Sequence, residues 1–395
     1  MNRIEIKPGI YSVGVVDWNA REFHGYAANQ GATYNAYLIV DEKVVLIDNV
    51  KEAFADEFIK RITDIVPMER IDYVISNHGE MDHSGSLPFI MKLARNAKLI
   101  SLDGAGVSNL KAEYPDSAAN FNFMPVKSMD TLSIGKHTLK FIATPMLHWP
   151  DNMVTYCVDE KILFSNDAFG QHIATSGRFD DENSLSSILN EAQKYYANIL
   201  MPYGVMLNRI FPVIAALDID IIAPSHGVIW RSNVKDILAA YKYYCDDDAV
   251  ENKALVIYDS MWHSTEKMAK AIVEGFAEKK VFTELIDLKV NELSDIMLKL
   301  HKAKYIAVGS PTFNRTIMPN VAAFLCYLKG LTGPKNKSAF AFGSYGWGGQ
   351  SIPEIDKALR DIGYTIMLEP VKNAYVPTDE FLKDLSAKVS CAVFD

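Results

Sequence analysis

The segment Asn77-His78-Gly79-Glu80-Met81-Asp82-His83-Ser84-Gly85 sets two imidazoles and two carboxylates within six residues. Packing does not explain such density, whereas metal ligation does, because neutral imidazole and carboxylate oxygen are the common non-thiolate ligands of transition metals. A strand that ends near Ser76 and runs into a glycine-containing loop can aim alternating side chains inward. His78 and Glu80 could then serve one ion while Asp82 and His83 serve a neighbour. Three more candidates follow apolar runs that deliver them to one rim: His148 in Pro145-Met-Leu-His-Trp-Pro150, Asp167 in Leu163-Phe-Ser-Asn-Asp-Ala168, and His226 in Ile221-Ile-Ala-Pro-Ser-His-Gly227. Cys157, Cys245, Cys326 and Cys391 are far apart with no Cys-x-x-Cys. That spacing disfavours a disulfide framework, a zinc ribbon or a four-thiolate iron site.

The second half carries three loops of another kind. Ser260, Met261, Trp262, His263, Ser264 and Thr265 form a hydroxyl-rich turn entering a helix. Unpaired N–H groups at a helix start, joined by Ser and Thr hydroxyls, hold a phosphate without Lys or Arg. His263 is unusual there, since a protonated ring adds charge and a neutral one can point to solvent. The loop Gly309-Ser-Pro-Thr-Phe-Asn-Arg315 offers polar groups to the edge of a heterocycle, with Pro311, Thr312, Phe313 and Asn314 as its contact candidates. Ser344, Tyr345, Gly346, Trp347, Gly348 and Gly349 place aromatics in a glycine-rich turn, where backbone N–H groups approach closely and Trp347 can stack on a flat ring. The three loops together fit a mononucleotide with a planar tricycle. No G-x-G-x-x-G fingerprint follows the first strand of this half, so FMN is favoured over NAD.

The elements that must position these residues divide the chain. In the first half short β-rich runs alternate with loops, as in the hairpin Ala36–Val40 and Lys43–Asp48, followed by Ile71–Ser76, Lys98–Ser101, Thr138–Thr144, Met153–Val158, Lys161–Ser165 and Ile219–Ala223. An acidic, apolar-poor stretch from Cys245 to Asn252 breaks the pattern, and the boundary is placed there, giving domains 1–250 and 251–395. Beyond it, strands expected at 254–258, 281–288, 305–309, 338–343 and 365–370 alternate with amphipathic helices, which specifies a parallel, doubly wound sheet. Ligands of such sheets sit beyond the carboxyl ends of the strands.

Composition agrees with a globular enzyme: 395 residues, 49% apolar and 23% charged. Lys+Arg 40 against Asp+Glu 49 leaves −9, and no basic tract appears, so nucleic acid is not an expected partner. No run approaches a membrane span, and the N-terminus alternates charged and apolar residues instead of presenting a leader. A cytoplasmic location is expected.

The ordered set His-x-Glu-x-Asp-His, then His, Asp and His, resembles the metallo-β-lactamase superfamily, whose binuclear members carry His-x-His-x-Asp-His at the same kind of loop. That resemblance implies a four-layered αββα sandwich with metals at one rim. Glu80 stands where the hydrolases have their second His, a harder and more anionic ligand that moves the preference from zinc toward iron. The second half resembles flavodoxin. Fused, the two resemble the flavodiiron proteins (A-type flavoproteins) over essentially the whole chain. The resemblance implies α/β and α+β architecture and an oxidoreductase that reduces dioxygen to water, nitric oxide to nitrous oxide, or both. It also implies an iron held by His78, Glu80 and His148, a second by Asp82, His83 and His226, and Asp167 as bridge. A head-to-tail homodimer, or a dimer of such dimers, is implied as well. With the chain ending at Asp395, no rubredoxin module is expected, so an external donor is required, either a rubredoxin or a reduced deazaflavin coenzyme. His24, His172 and Tyr195 are candidates for the pocket around the irons.

Overall fold

The computed structural model describes residues 4–331 and 336–393. Their contacts form two compact units, one of residues 1–24, 28–195 and 203–245 and the other of 25–27, 196–202 and 246–395. The two short segments join the second unit through specific bonds. Ala27 N–H donates to Ser294 Oγ at 3.2 Å, the Asn198 amide donates to the Ser294 carbonyl at 3.1 Å, and Tyr327 O–H donates to Asn198 Oδ1 at 2.8 Å.

In the first unit, seven strands pair in the order Ile4–Lys7, Ile10–Ser12, Tyr37–Val40, Val44–Ile47, Ile71–Ile75, Lys98–Leu102, Phe123–Val126. The first three pairings are antiparallel and the last three parallel. A second sheet runs Thr131–Ser133, Thr138–Ala143, Met153–Cys157, Ile162–Asn166, Ile221–Pro224. Side chains alternate across a strand, and that alternation builds the layers. Tyr37, Ile39, Val45, Ile47, Ile75 and Ile100 face Leu139, Phe141, Met153 and Phe164 of the other sheet. Their neighbours Leu38, Leu46, Val74 and Leu99 face Phe58, Ile62, Leu87, Ile90 and Leu110, which lie on the helices Ala55–Thr63, Leu87–Leu93 and Ala105–Glu113. On the outer face of the second sheet, Val154 and Leu163 meet Leu207 and Ile214 of helix Gly204–Ala215. This is the αββα order expected from the ligand motif.

In the second unit all pairings are parallel. The strands lie in the order Phe282–Asp287, Glu251–Tyr258, Ala303–Gly309, Ser338–Tyr345, and then Thr365–Ile366 with Val371–Ala374. By sequence this is 2-1-3-4-5, the doubly wound flavodoxin-like order, with its switch point between the first and third strands. The last strand is expected as one piece, 365–370, and forms as two. Pro370 has no N–H to give the ladder, and pairing resumes only at Val371. The helix Leu293–Leu300 is a further element that the alternation pattern does not single out. Among the described residues no helix is long and apolar enough to cross a membrane.

Candidate metal centre and flavin pocket

Strand Ile71–Ile75 ends at the bottom of the first site. Beyond it, Glu80 is extended (φ −62°, ψ 145°) and Met81–Ser84 coils into one helical turn. The expected alternating loop is therefore half extended and half helical. That change of backbone separates the motif into two groups.

His78, Glu80 and His148 each offer one atom, all within 4.8 Å of one another, and so do Asp82, His83 and His226. Glu80 Oε2 lies 3.3 Å from His78 Nε2 and 3.1 Å from His148 Nε2. Asp82 Oδ2 lies 3.1 Å from both His83 Nε2 and His226 Nε2. Asp167 divides its oxygens between the groups. Oδ1 stands 2.9 Å from His83 Nε2 and 3.5 Å from His226 Nε2, and Oδ2 stands 3.9 Å from His78 Nε2 and 3.7 Å from His148 Nε2. All seven sequence candidates thus meet at one place.

The donor set fits two cations. Both oxygens of Asp82, both ring nitrogens of His83, Asp167 Oδ2 and His226 Nε2 are buried without a hydrogen-bond partner, a costly condition for polar atoms. Ligands about 2.1 Å from one ion stand roughly 3 Å apart at right angles, which is the spacing seen. The outer partners set tautomers. The Thr33 carbonyl, 2.6 Å from His226 Nδ1, can only accept, so Nδ1 carries the proton and Nε2 presents its lone pair inward. Asp151 plays the same part for His78, 3.1 Å from Nδ1, while accepting from Gly79 N–H at 2.7 Å and from the Asn109 amide at 3.1 Å. Behind them Asp48 accepts from the Asn77 backbone N–H at 2.8 Å and side-chain amide at 3.0 Å. Sequence reading missed Asp151, Thr33 and Asp48. Only Asp151, three residues past His148, left a local signal. Asp151→Asn is expected to weaken metal retention by about 10–100-fold with flavin content unchanged, as iron and FMN counts after mild chelation would measure.

The carboxylates and imidazoles hold one another's protons. Burial pushes Glu80 up, but hydrogen bonds from His148, His24 and His78 outweigh it and hold the carboxyl far below its usual range. Burial pulls His226 down, yet Asp167 and Asp82 raise it to about 10. A raised histidine stabilises the metal-free fold fully below its unfolded pKa and loses that contribution as pH rises through the folded value. Metal-stripped protein should therefore melt at falling temperature from about pH 6.5 to 10, whereas metal binding should strengthen over the same range because ligands must shed protons. Melting curves with and without added metal check both signs.

The three pocket candidates lie against this cluster. Tyr195 O–H donates to Asp167 Oδ1 at 3.0 Å. His24 Nε2 stands 2.6 Å from Glu80 Oε1, and its side chain is half exposed. His172 is buried edge-on to Tyr195 and His226, with ring centroids 5.1 and 5.0 Å away, and burial holds it well below the usual imidazole range. A cavity of about 290 Å³ opens over Glu80 and Asp82, walled by His24 and Lys51.

In the second unit the loops beyond Tyr258, Gly309, Ser344 and Ala374 surround a cavity of about 860 Å³. Ser260, Met261, Trp262, Ser264, Pro311, Thr312, Phe313, Asn314, Ser344, Tyr345, Gly346, Trp347 and Gly348 line it, as do Arg315, the last residue of the loop from Gly309, and Gln350, Tyr375 and Val376, which sequence reading did not include. Thr265 sits beneath the wall, its hydroxyl 2.8 Å from Ser344 Oγ and tying the first loop to the third. His263 turns away to Glu266 at 2.7 Å, and neither it nor Gly349 lines the cavity. The residues present fit a flavin mononucleotide. Ser260 Oγ is buried without a partner where a phosphate would accept, and Trp262 and Trp347 are 86% and 95% exposed, flat apolar faces suited to an isoalloxazine ring.

Comparison with known proteins agrees with both halves. Residues 32–227 match the family described as ODP family beta lactamase, and residues 256–387 match flavodoxin. The chain is 42% identical to the nitric oxide reductase of Moorella thermoacetica over 99% of each protein. It is 39% identical to the rubredoxin-oxygen oxidoreductase of Megalodesulfovibrio gigas, over 100% of this chain and 98% of that one. Its fold is similar to the crystal structure of the flavodiiron protein from Giardia intestinalis, with TM-score 0.95 and 37% identity over 99% of this chain and 96% of that one.

Proposed function

We propose, since this chain belongs to the flavodiiron protein family, that it reduces dioxygen to water, nitric oxide to nitrous oxide, or both, with electrons that enter at FMN. Dioxygen takes four electrons and four protons to give two waters. Two nitric oxides take two of each to give nitrous oxide and water. The observation that carries the reading is the convergence of two carboxylate–imidazole groups on the split oxygens of Asp167, together with the cavity lined by the second unit's loops.

His78, Glu80 and His148 would hold one iron, Asp82, His83 and His226 the other, and Asp167 would bridge. When bound, FMN supplies electrons one at a time and the iron pair supplies two adjacent reducing sites for diatomic molecules. The chain's own residues arrange the rest. Thr33 and Asp151 fix the imidazole tautomers, and the Tyr195 hydroxyl orients Asp167. His24, at the mouth of the cavity beside Glu80, can carry solvent protons inward on Nε2. Both reactions consume protons, and His24 stands where solvent in the cavity meets Glu80. Ser260 and the start of helix Ser264–Glu278 would hold the FMN phosphate.

A rubredoxin or a reduced deazaflavin coenzyme would act as donor, and a head-to-tail homodimer would bring the flavin of one chain to the irons of its partner, in the cytoplasm. Protein purified from iron-supplemented cells is expected to contain two irons and one FMN per chain and to consume dioxygen or nitric oxide when given reduced rubredoxin. Two zinc ions without iron would instead indicate a hydrolase-type centre and overturn the reading.

A further inference from the structure

Arg178, in the first unit, is only 8% exposed. Among the described residues its guanidinium donates one hydrogen bond, from Nη2 to Asn35 Oδ1 at 2.8 Å. Nη1 is buried without a partner, and among the described residues no carboxylate forms an ion pair with this guanidinium. A buried cation without an anion is an expensive arrangement, relieved when a carboxylate completes the pair.

Arg178 lines a cavity of about 600 Å³ whose apolar walls include Ile4, Val16, Trp18 and Phe179, a volume typical of small-molecule sites. The cavity's own acidic residues make their close contacts with other groups, although the charge of Glu182 also acts on the guanidinium through space. Glu57 pairs with Arg61 at 2.8 Å, Glu182 accepts from the backbone N–H groups of Arg178 and Phe179 at 2.7 and 3.2 Å, and Glu5 accepts from Gly9 N–H at 2.9 Å. Arg178 Nη1 thus remains without a hydrogen-bond partner beside an apolar wall.

We propose that this cavity is a binding site for a small organic carboxylate, its oxygens on the Arg178 fork and its apolar or aromatic body against Val16, Trp18 and Phe179. Planar guanidinium and carboxylate match in geometry. A single negative charge suits the site better than a phosphate dianion, which Glu57 and Glu182 would repel. Asn35, the acceptor for Arg178, also donates to the carbonyls of Pro224 and Gly227 at 2.9 and 3.0 Å, so the site adjoins the loop that carries His226. The assignment does not depend on the redox reading, because its test measures binding alone.

The probe is benzoate, titrated calorimetrically into the full-length protein with its metals and flavin in place. Benzoate is expected to bind, with benzamide, its neutral counterpart, and inorganic phosphate each at least about tenfold weaker. Arg178→Met is expected to lose at least about tenfold in benzoate affinity. Should that variant not fold, Trp18→Ala, which trims a half-exposed wall, is expected to weaken binding severalfold. Crystals soaked in 4-bromobenzoate should show bromine beside Val16 and Trp18, with the carboxylate on Arg178. Absence of benzoate binding, unchanged affinity in both variants, or bromine only at other places would overturn the site. Phosphate bound more tightly than benzoate would overturn the organic carboxylate as its ligand.

Discussion

Asp167→Ala is expected to yield a chain that still binds FMN but holds no coupled iron pair, with turnover reduced by at least about a thousandfold. The effect is large because this carboxylate gives one oxygen to each triad, Oδ1 toward His83 and His226 and Oδ2 toward His78 and His148. Its loss removes a ligand from both ions at once and leaves the buried Tyr195 hydroxyl without its acceptor. Like charges on two neighbouring cations are then no longer offset between them. FMN should be unaffected, since every residue lining the flavin cavity belongs to the second unit. Iron per chain, the magnetic coupling of the pair and the flavin absorbance measure these outcomes separately. Two coupled irons retained at full occupancy would show that Asp167 is not the bridge.

Gly343→Ala should produce the opposite phenotype, with irons retained and FMN affinity reduced by at least about tenfold. A Cβ at Gly343 would stand 2.0 Å from the Ser310 carbonyl oxygen and 3.1 Å from Ile352 Cγ1. The near atom is backbone and cannot swing aside. Ser310 is held by its N–H to the Phe342 carbonyl at 3.2 Å and by its own hydroxyl, which accepts from Met318 N–H at 2.9 Å. The strands Ala303–Gly309 and Ser338–Tyr345 must therefore move apart at their carboxyl ends, where both feed loops into the flavin cavity. Overpacking of this kind costs about 1–3 kcal/mol and more when backbone is involved. Gly330→Ala is the matched control, because a Cβ there meets nothing within 4 Å. Flavin fluorescence titration reads the first effect and metal analysis the second. Equal FMN affinity in Gly343→Ala and Gly330→Ala would refute the close-approach argument.

The seven candidate ligands were legible because each lies just past an apolar run, and few side chains other than His, Asp and Glu could ligate there. The αββα layering was expected from the resemblance to the metallo-β-lactamase superfamily and not from periodicity, since Tyr37–Val40 and Val44–Ile47 are apolar throughout, and only the structure assigns Leu38 and Ile39, or Leu46 and Ile47, to opposite layers. The flavin loops were found for a related reason. A doubly wound sheet places its ligand beyond the strand ends, so Ser260, Thr312 and Ser344 could be chosen from strand positions alone. Tyr375 was not chosen, because the break at Pro370 moved the last strand's end four residues past its expected place.

Residue type and local periodicity act over a few positions, so they were enough to suggest the chemistries and the elements that carry them. Only the folded structure brings the candidate ligands into two groups. The turn at Met81 sends Glu80 and Asp82 to different groups, and Asp167 spans them from another strand. It also decided which buried groups support the ligands. The carbonyl that sets the tautomer of His226 belongs to Thr33, 193 positions away, and the carboxylate on His78 belongs to Asp151, 73 positions away. A hydrogen bond depends on distance in space, and nothing in the residues around Thr33 distinguishes its carbonyl from the same group facing water, while the nearness of Asp151 to His148 does not say which imidazole it supports.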